Sequence, residues 1–458
     1  MKEILSMDAT TLAQKIRAGE ISSQEATETY IRHIQQVNPH INAMVEDRFE
    51  QARHEARERD RELMEGTAKG KLFGVPVSIK ESFYMVGMKT TSGLSSRKND
   101  GDPKDADVVR LLKNEGAVIL GKTNTPIFLL CQETDNYVYG RTNNPWNLER
   151  TAGGSSGGEG AFIAVGGAAV GLGSDIGGSI RFPSHFNGII GFKSGKQQVS
   201  DEGHFPPFSP PFQRDMQGIV PMAKSVQDAE LVYEIIAKHP LKKQELDQVE
   251  FVIPRIDPKY PLDSCTLSLY GQVEQYLSKH VKISKQSPPY FDQAVQLWAA
   301  VMTSDGGEQF MPSLEKENFD HLHPYFKTIL GVAQAIKPSP EQWEQVTALR
   351  TQAESEVLDY FKQRVLVLPV YHTPAPEHGR VVDELFSEPE NLSKFSSFIS
   401  YVNCFGLPAL VIPVGENEEG MPISIQLTTA TGQEDALFQA GKIIEKEFRG
   451  YVRCTYWD

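Results

Sequence analysis

Apolar positions recur along this chain in two periods, and the change from one to the other outlines the fold. After Ser22, the residues Ala26, Tyr30, Ile34 and Val37 fall on one helical face, and Ser22-x-x-Glu25 ahead of them is a capping-box pattern. Asn38-Pro39 predicts the end of that helix. Phe49 to Met64 (FEQARHEARERDRELM) is charged and strongly helix-forming, which predicts a surface helix facing water. At Gly74-Val75-Pro76-Val77-Ser78-Ile79-Lys80 the pattern switches to the alternation of a strand. Asp107 to Asn114 predicts a helix closed near Gly116, and Ala117 to Leu120 a buried strand.

Farther along, Pro206 to Pro288 is proline-rich and then helical, and Phe291 to Arg364 reads as further helices, Gln342 to Phe361 among them. Val365 to Val370 and Ala409 to Val414 predict buried strands, Ile423 to Leu427 alternates as a strand, and Glu434 to Phe448 closes the chain as an amphipathic helix. The late strands are expected to join the sheet begun near Gly74. This α/β rhythm predicts a single large domain over 1–458. Its parts are N-terminal helices over 1–65, a core with a glycine- and serine-rich segment over 66–204, a helical insertion over 205–363, and a return to the core sheet over 364–458.

Charge and cysteine usage narrow the function classes. Lys and Arg total 46 against 60 Asp and Glu, a net charge of −14, which repels phosphate backbones and argues against nucleic-acid binding and a polybasic membrane anchor. The N-terminus has no apolar signal region, and no stretch reaches the ~18 apolar residues of a membrane span. Cys131, Cys265, Cys404 and Cys454 lie far apart with no Cys-x-x-Cys, so neither a zinc ribbon nor a redox pair is supported. Four scattered thiols fit a reducing compartment, and the expected location is cytoplasmic.

One segment departs from ordinary composition. A third of Gly153–Gly191 is glycine, yet Phe162, Ile163, Val165, Val170, Leu172, Ile176 and Ile180 alternate with it, so it is no flexible linker. Gly171 to Gly177 misses the dinucleotide fingerprint by one residue, and a Walker A loop is absent. Gly153-Gly154-Ser155-Ser156-Gly157 satisfies Gly-x-Ser-x-Gly, but what precedes it reads as loop where a nucleophile elbow needs a strand. His185, His204, His239, His372 and His378 stand in no distinctive context and read as structural. The Ser-x-x-Lys pairs Ser95/Lys98 and Ser313/Lys316 lack companion motifs. What remains is a serine site without histidine. Ser155 and Ser179 stand in glycine turns, and Lys80 ends a buried-looking strand. A lysine activates serine only when neutral, and burial favours that form.

The combination is recognisable. Gly153 to Gly160, then Gly171-Leu172-Gly173-Ser174-Asp175-Ile176-Gly177-Gly178-Ser179-Ile180-Arg181-Phe182-Pro183-Ser184, resembles the amidase signature family, with further matches at Gly74–Phe83, Gly121–Pro126, Asn403, Gly406–Ala409, Pro413 and Pro422–Leu427. The resemblance implies an α/β domain with a central mixed, twisted sheet covered by helices on both faces. It also implies an amidase that cleaves linear amides through an acyl-enzyme. The family's lysine falls on Lys80, its bridging serine on Ser155 and its acylated serine on Ser179. Backbone N–H groups of Ile176, Gly177, Gly178 and Ser179 are implied as the oxyanion hole, and Ser156 as support. Asp175 and Arg181, flanking the nucleophile, read as a structural pair. No metal or organic cofactor is implied. The expected partner is a small-molecule amide, and a homodimer is compatible with the reading.

One departure is Gly191-Phe192-Lys193-Ser194-Gly195, where the family commonly continues Lys-Pro or Arg-Pro-Thr. The wording around Val75–Glu81 and Gly158–Ala161 is nearest the fatty acid amide hydrolase type, without the apolar anchor of the animal enzymes. By the same resemblance, the apolar run Thr125 to Cys131 lies partly on the acyl pocket through Leu129, Leu130 and Cys131; the alternative for the run is that Phe128 and Leu129 pack the core. The alternatives are the glutaminase subunit of a tRNA-dependent amidotransferase and a silent binding protein on the same fold.

Overall fold

A computed structural model describes residues 2–207, 210–388 and 390–458. Its strands, in chain order, are β1 (Met44–Asp47), β2 (Pro76–Lys80), β3 (Val118–Thr123), β4 (Asn143–Asn144), β5 (Asn147–Thr151), β6 (Val170–Asp175), β7 (Ile190–Lys193), β8 (Gly218–Ala223), β9 (Glu250–Val252), β10 (Ile283–Ser284), β11 (Arg364–Pro369), β12 (Ala409–Glu416) and β13 (Pro422–Thr428). Among the described residues, all but β4 and β5 join one sheet in the order β1-β3-β2-β6-β8-β7-β12-β13-β11-β9-β10. β2 runs parallel to both β3 and β6. The middle of the sheet, from β6 through β8, β7, β12 and β13 to β11, is antiparallel. β9 is parallel to both β11 and β10 at the far edge. Every residue of β2, β3, β6, β7 and β8 is buried, as a sheet covered by helices on both faces requires. The single mixed α/β domain expected from the sequence is what the chain forms.

Local sequence accounts for most elements. Ser22 Oγ accepts the Glu25 N–H at 2.9 Å and starts the helix Ser23–Ile41. That helix does not stop at Asn38-Pro39. It runs on to Ile41 and closes at Asn42 in the left-handed region, with the Asn42 N–H on the Asn38 carbonyl at 2.7 Å. The Asn38 side chain accepts the N–H groups of Ala43 and Met44 at 2.9 and 2.8 Å, so it ties the helix end to β1 instead of breaking the helix.

The stretch 205–363, read as helical, carries β8 within the sheet and β9 and β10 at its edge. β8 (Gly218-Ile-Val-Pro-Met-Ala) is hard to see in sequence because Pro221 lies inside it. Pro221 pairs with Leu172 of β6, while the ladder to β7 covers only Met222 and Ala223, so the missing N–H falls where β7 pairing ends. Among the described residues no helix is long and apolar enough to cross a membrane.

Candidate active site

Three parallel strands, β3, β2 and β6, end side by side, and each delivers a chemical group from its carboxyl end. β2 ends in Lys80, β6 in Ser174 and Asp175, and β3 leads into Asn124 and the apolar run that follows. A crevice outside the carboxyl ends of parallel strands is where α/β sheets place ligand sites.

Lys80 is fully buried. Its Nζ lies 2.7 Å from Ser155 Oγ, 3.1 Å from Ser174 Oγ and 3.5 Å from the Ser174 carbonyl. Among the described residues no carboxylate forms an ion pair with it. Burial pushes its amine down to about 7, although Asp175, Glu159 and Glu81 pull the other way. Glu159 instead accepts the hydroxyls of Ser78 and Thr123, and Glu81 accepts the N–H groups of Thr91 and Ser92. Burial raises both of these carboxyls to about 7.

Ser155 follows a cis peptide from Gly154. A side chain at Gly154 would collide with the Cys131 carbonyl and the Glu133 N–H, each 2.6 Å from its Cβ position, so glycine lets the 131–133 segment press against this turn. Ser156 heads the helix Gly157–Ala164. Its N–H donates to the Ser179 carbonyl at 3.0 Å and its hydroxyl to the Ser174 carbonyl at 3.3 Å, which fixes the two serine turns to one another.

The second turn is held by charge. Arg181 grips Asp175 through Nε at 3.0 Å and Nη2 at 3.1 Å, and both side chains are fully buried. Arg181 also reaches the Ile399 carbonyl, Gln426 and Asn403. Burial alone would raise the Asp175 carboxyl, but the guanidinium, with help from Lys193 and Asn403, outweighs it and holds the group well below the usual carboxylate range. Of the four N–H groups expected to form the oxyanion hole, those of Ile176, Gly177, Gly178 and Ser179, one has an acceptor within the turn. The Gly178 N–H donates to Asp175 Oδ1 at 2.9 Å and is already engaged, and Gly178 itself, at φ +91°, makes the turn that only glycine adopts freely. Ile176, Gly177 and Ser179 line the adjoining cavity, and Gly178 does not.

That cavity is apolar, with Leu129, Leu130 and Cys131 in its wall beside Ser179. Ile127 and Phe128 of the same run turn away into a cluster in which the Phe128 ring meets Phe310 at 4.8 Å and Phe326 at 5.6 Å. Phe128 and Leu129 both take positive φ, 50° and 62°, which is what splits the run between core and cavity. The opposite wall comes from the helix Phe291–Met302 and the helix Pro324–Ala335. No Asp, Glu, Lys or Arg side chain among the described residues lines the cavity.

Three side chains at the site carried no signal in the sequence. Trp298 donates its Nε1–H to the Ile176 carbonyl at 3.0 Å and lays its ring against Gly177. Ser174 contacts Lys80, and His204 Nε2 lies 3.0 Å from Ser174 Oγ. Among histidines read as structural, His185 takes the Ser424 N–H at 2.9 Å and meets the Thr373 carbonyl at 2.9 Å, and His378 meets the Leu148 carbonyl at 3.0 Å. Gly-x-Ser-x-Gly at 153–157 does follow a strand, β5, but β5 lies in a two-stranded ribbon with β4, bridged at Arg150 to Glu377, and not in the main sheet.

The amidase family profile matches residues 25–438, so the chain belongs to the amidase family of hydrolases acting on amide C–N bonds. It is 32% identical to fatty-acid amide hydrolase 2-A of Danio rerio, over 98% of this chain and 90% of that one. It is 40% identical to a glutamyl-tRNA(Gln) amidotransferase subunit of Carboxydothermus hydrogenoformans, over 97% of this chain and 98% of that one. A solved amidase crystal structure superposes with a TM-score of 0.85 at 25% identity, covering 97% of this chain and all of that one.

Proposed function

We propose that the chain is a serine amidase that converts a linear carboxylic amide with an apolar acyl group to the acid plus ammonia or an amine. Neutral Lys80 takes a proton from Ser155 as Ser155 takes one from Ser179, and Ser179 Oγ attacks the amide carbonyl. The oxyanion of the tetrahedral intermediate accepts from the N–H groups of Ile176, Gly177 and Ser179. The proton returns through Ser155 to the leaving nitrogen, the C–N bond breaks, and the acyl group remains as an ester on Ser179. Water gives its proton by the same route, attacks the ester and releases the acid. The observation that carries this reading is the buried Lys80 amine, 2.7 Å from Ser155 Oγ and with hydroxyl and carbonyl neighbours in place of a carboxylate.

The 40% identity to an amidotransferase subunit supports a second reading, a glutaminase working in a complex. The cavity weighs against it. Glutamine carries an ammonium and a carboxylate, and among the described residues the wall offers no charged partner to either. A screen of primary amides of graded chain length, with mass detection of the acid, decides between them. Acid from apolar amides, lost in Ser179→Ala, supports the amidase. Turnover of glutamine alone, only with added subunits, overturns it.

A further inference from the structure

Lys80 works as a base only if its lone pair points at Ser155, and the neighbouring hydroxyl of Ser174 is able to spoil that arrangement. A neutral amine has two N–H donors and one lone pair. The Ser174 carbonyl at 3.5 Å can only accept, so it draws one N–H. The Ser174 hydroxyl at 3.1 Å can do either of two things. When it accepts the second N–H, the lone pair is left for Ser155. When it donates to the lone pair, the base is occupied and Ser155 keeps its proton.

His204 sets which of these occurs. Its ring edges against Phe83 with centroids 5.1 Å apart, and its Nε2 faces Ser174 Oγ at 3.0 Å. Its Nδ1 lies 3.2 Å from the Pro206 carbonyl, which has no proton to give, so a hydrogen bond there requires the proton on Nδ1. Nε2 is then an acceptor and draws the Ser174 O–H away from Lys80. The Gln217 amide nitrogen, 3.3 Å from Nδ1, favours the opposite tautomer, in which Nε2–H donates to Ser174 and the serine proton turns toward the amine. The Pro206 carbonyl can only accept, whereas the Gln217 amide carries an acceptor oxygen beside its nitrogen and can meet Nδ1–H by turning over, so the proton on Nδ1 is the arrangement that suits both neighbours. Burial and the nearby Lys80 press the imidazole down to about 3, against a pull from Asp201, so it stays neutral and keeps an acceptor nitrogen through the working range. The other charged groups acting on Lys80 are Asp175, Glu159 and Glu81.

We propose that His204, acting through Ser174, is a positioning residue that keeps the Lys80 lone pair directed at Ser155. This rests on Lys80 being the base, as read above. It predicts an unusual pH signature. In His204→Leu the Ser174 hydroxyl is freed to donate to the neutral amine. That bond favours the neutral form, so the acid limb of kcat/KM moves to lower pH while the plateau falls. A loss of about tenfold or more in kcat, with KM little changed, is the size expected of a misdirected group.

The test measures pH profiles and melting temperatures for His204→Leu, His204→Gln, Ser174→Ala and the His204→Leu/Ser174→Ala double variant of the full chain, with Lys80→Ala as reference. The proposal expects His204→Gln to retain most activity, because its side-chain carbonyl can accept the Ser174 proton. It expects His204→Leu to cost nothing further in the Ser174→Ala background, since the misdirected hydroxyl is gone. Equal losses from His204→Leu with and without Ser174, or an unmoved acid limb in folded His204→Leu, overturn it. If His204→Leu matches the parent while Lys80→Ala is inactive, the positioning role alone fails. If Lys80→Ala keeps full activity, the underlying reading fails with it.

Discussion

At the scale of single residues, the proposed mechanism turns on one amine kept neutral. Lys80 is displaced from an ordinary 10.5 to about 7 because burial penalises its charge. The sign of the resulting pH dependence is fixed. Below about pH 7 the amine is protonated and cannot accept from Ser155, so kcat/KM falls with acid and reaches its plateau above. Lys80→Ala removes the base and lowers kcat by about 10²–10⁴-fold, far more than a change at an exposed lysine. A rate that is flat from about pH 5 to 9, where a lysine tuned by burial titrates, would contradict the assignment. Lys80, Ser155 and Ser179 were legible in the sequence because each sits in a short stretch with a fixed local pattern. Ser174, His204 and Trp298 were not. Ser174 looks like one more small residue in a glycine-rich strand. His204 and Trp298 come from distant stretches with no pattern of their own, and only folding brings them to the turn.

At the scale of elements, two turns and one apolar run make the site. The turn after β6 is held open by Asp175, which accepts from Gly178, Ile180 and Arg181. Removing the guanidinium leaves that carboxylate buried and unpaired. Arg181→Met is therefore expected to lower stability by about 3–5 kcal/mol, read as a drop in melting temperature, and an unchanged melt would refute the role. The apolar run after β3 is divided by the positive φ of Phe128 and Leu129, which no hydrophobic pattern announces. Phe128 packs in the core, and Leu129 faces the cavity. Leu129→Phe is expected to shift the ratio of kcat/KM for short over long acyl amides by about tenfold or more, with little change in melting temperature. A lower melting temperature with the ratio unmoved would return Leu129 to the core. Element identity was mostly readable from periodicity, as in the helix Asp107–Asn114 and the strands β11 to β13. It failed at Pro39, which lies inside a helix where an end was expected, and over 205–363, where β8 with Pro221 inside it, β9 and β10 lie in a stretch read as helical.

At the scale of the whole molecule, the sheet brings together groups that are far apart in the chain. Lys80 and Ser174 are neighbours because β2 and β6 are parallel partners, with Val77, Ser78 and Ile79 registered on Val170, Gly171 and Leu172. The stretch 205–363 closes the far wall of the cavity through the helices Phe291–Met302 and Pro324–Ala335, and also supplies β8 beside β6. Its helices were readable, but its place in the sheet was not, because strand order depends on long-range pairing that local patterns do not encode. The claim that draws these scales together is that Ser179 carries the acyl group. The most direct measurement is reaction with a fluorophosphonate followed by peptide mass mapping. The account predicts a single adduct on Ser179, strongly slowed in Lys80→Ala. An adduct on Ser155 or elsewhere with Ser179 unmodified would contradict it.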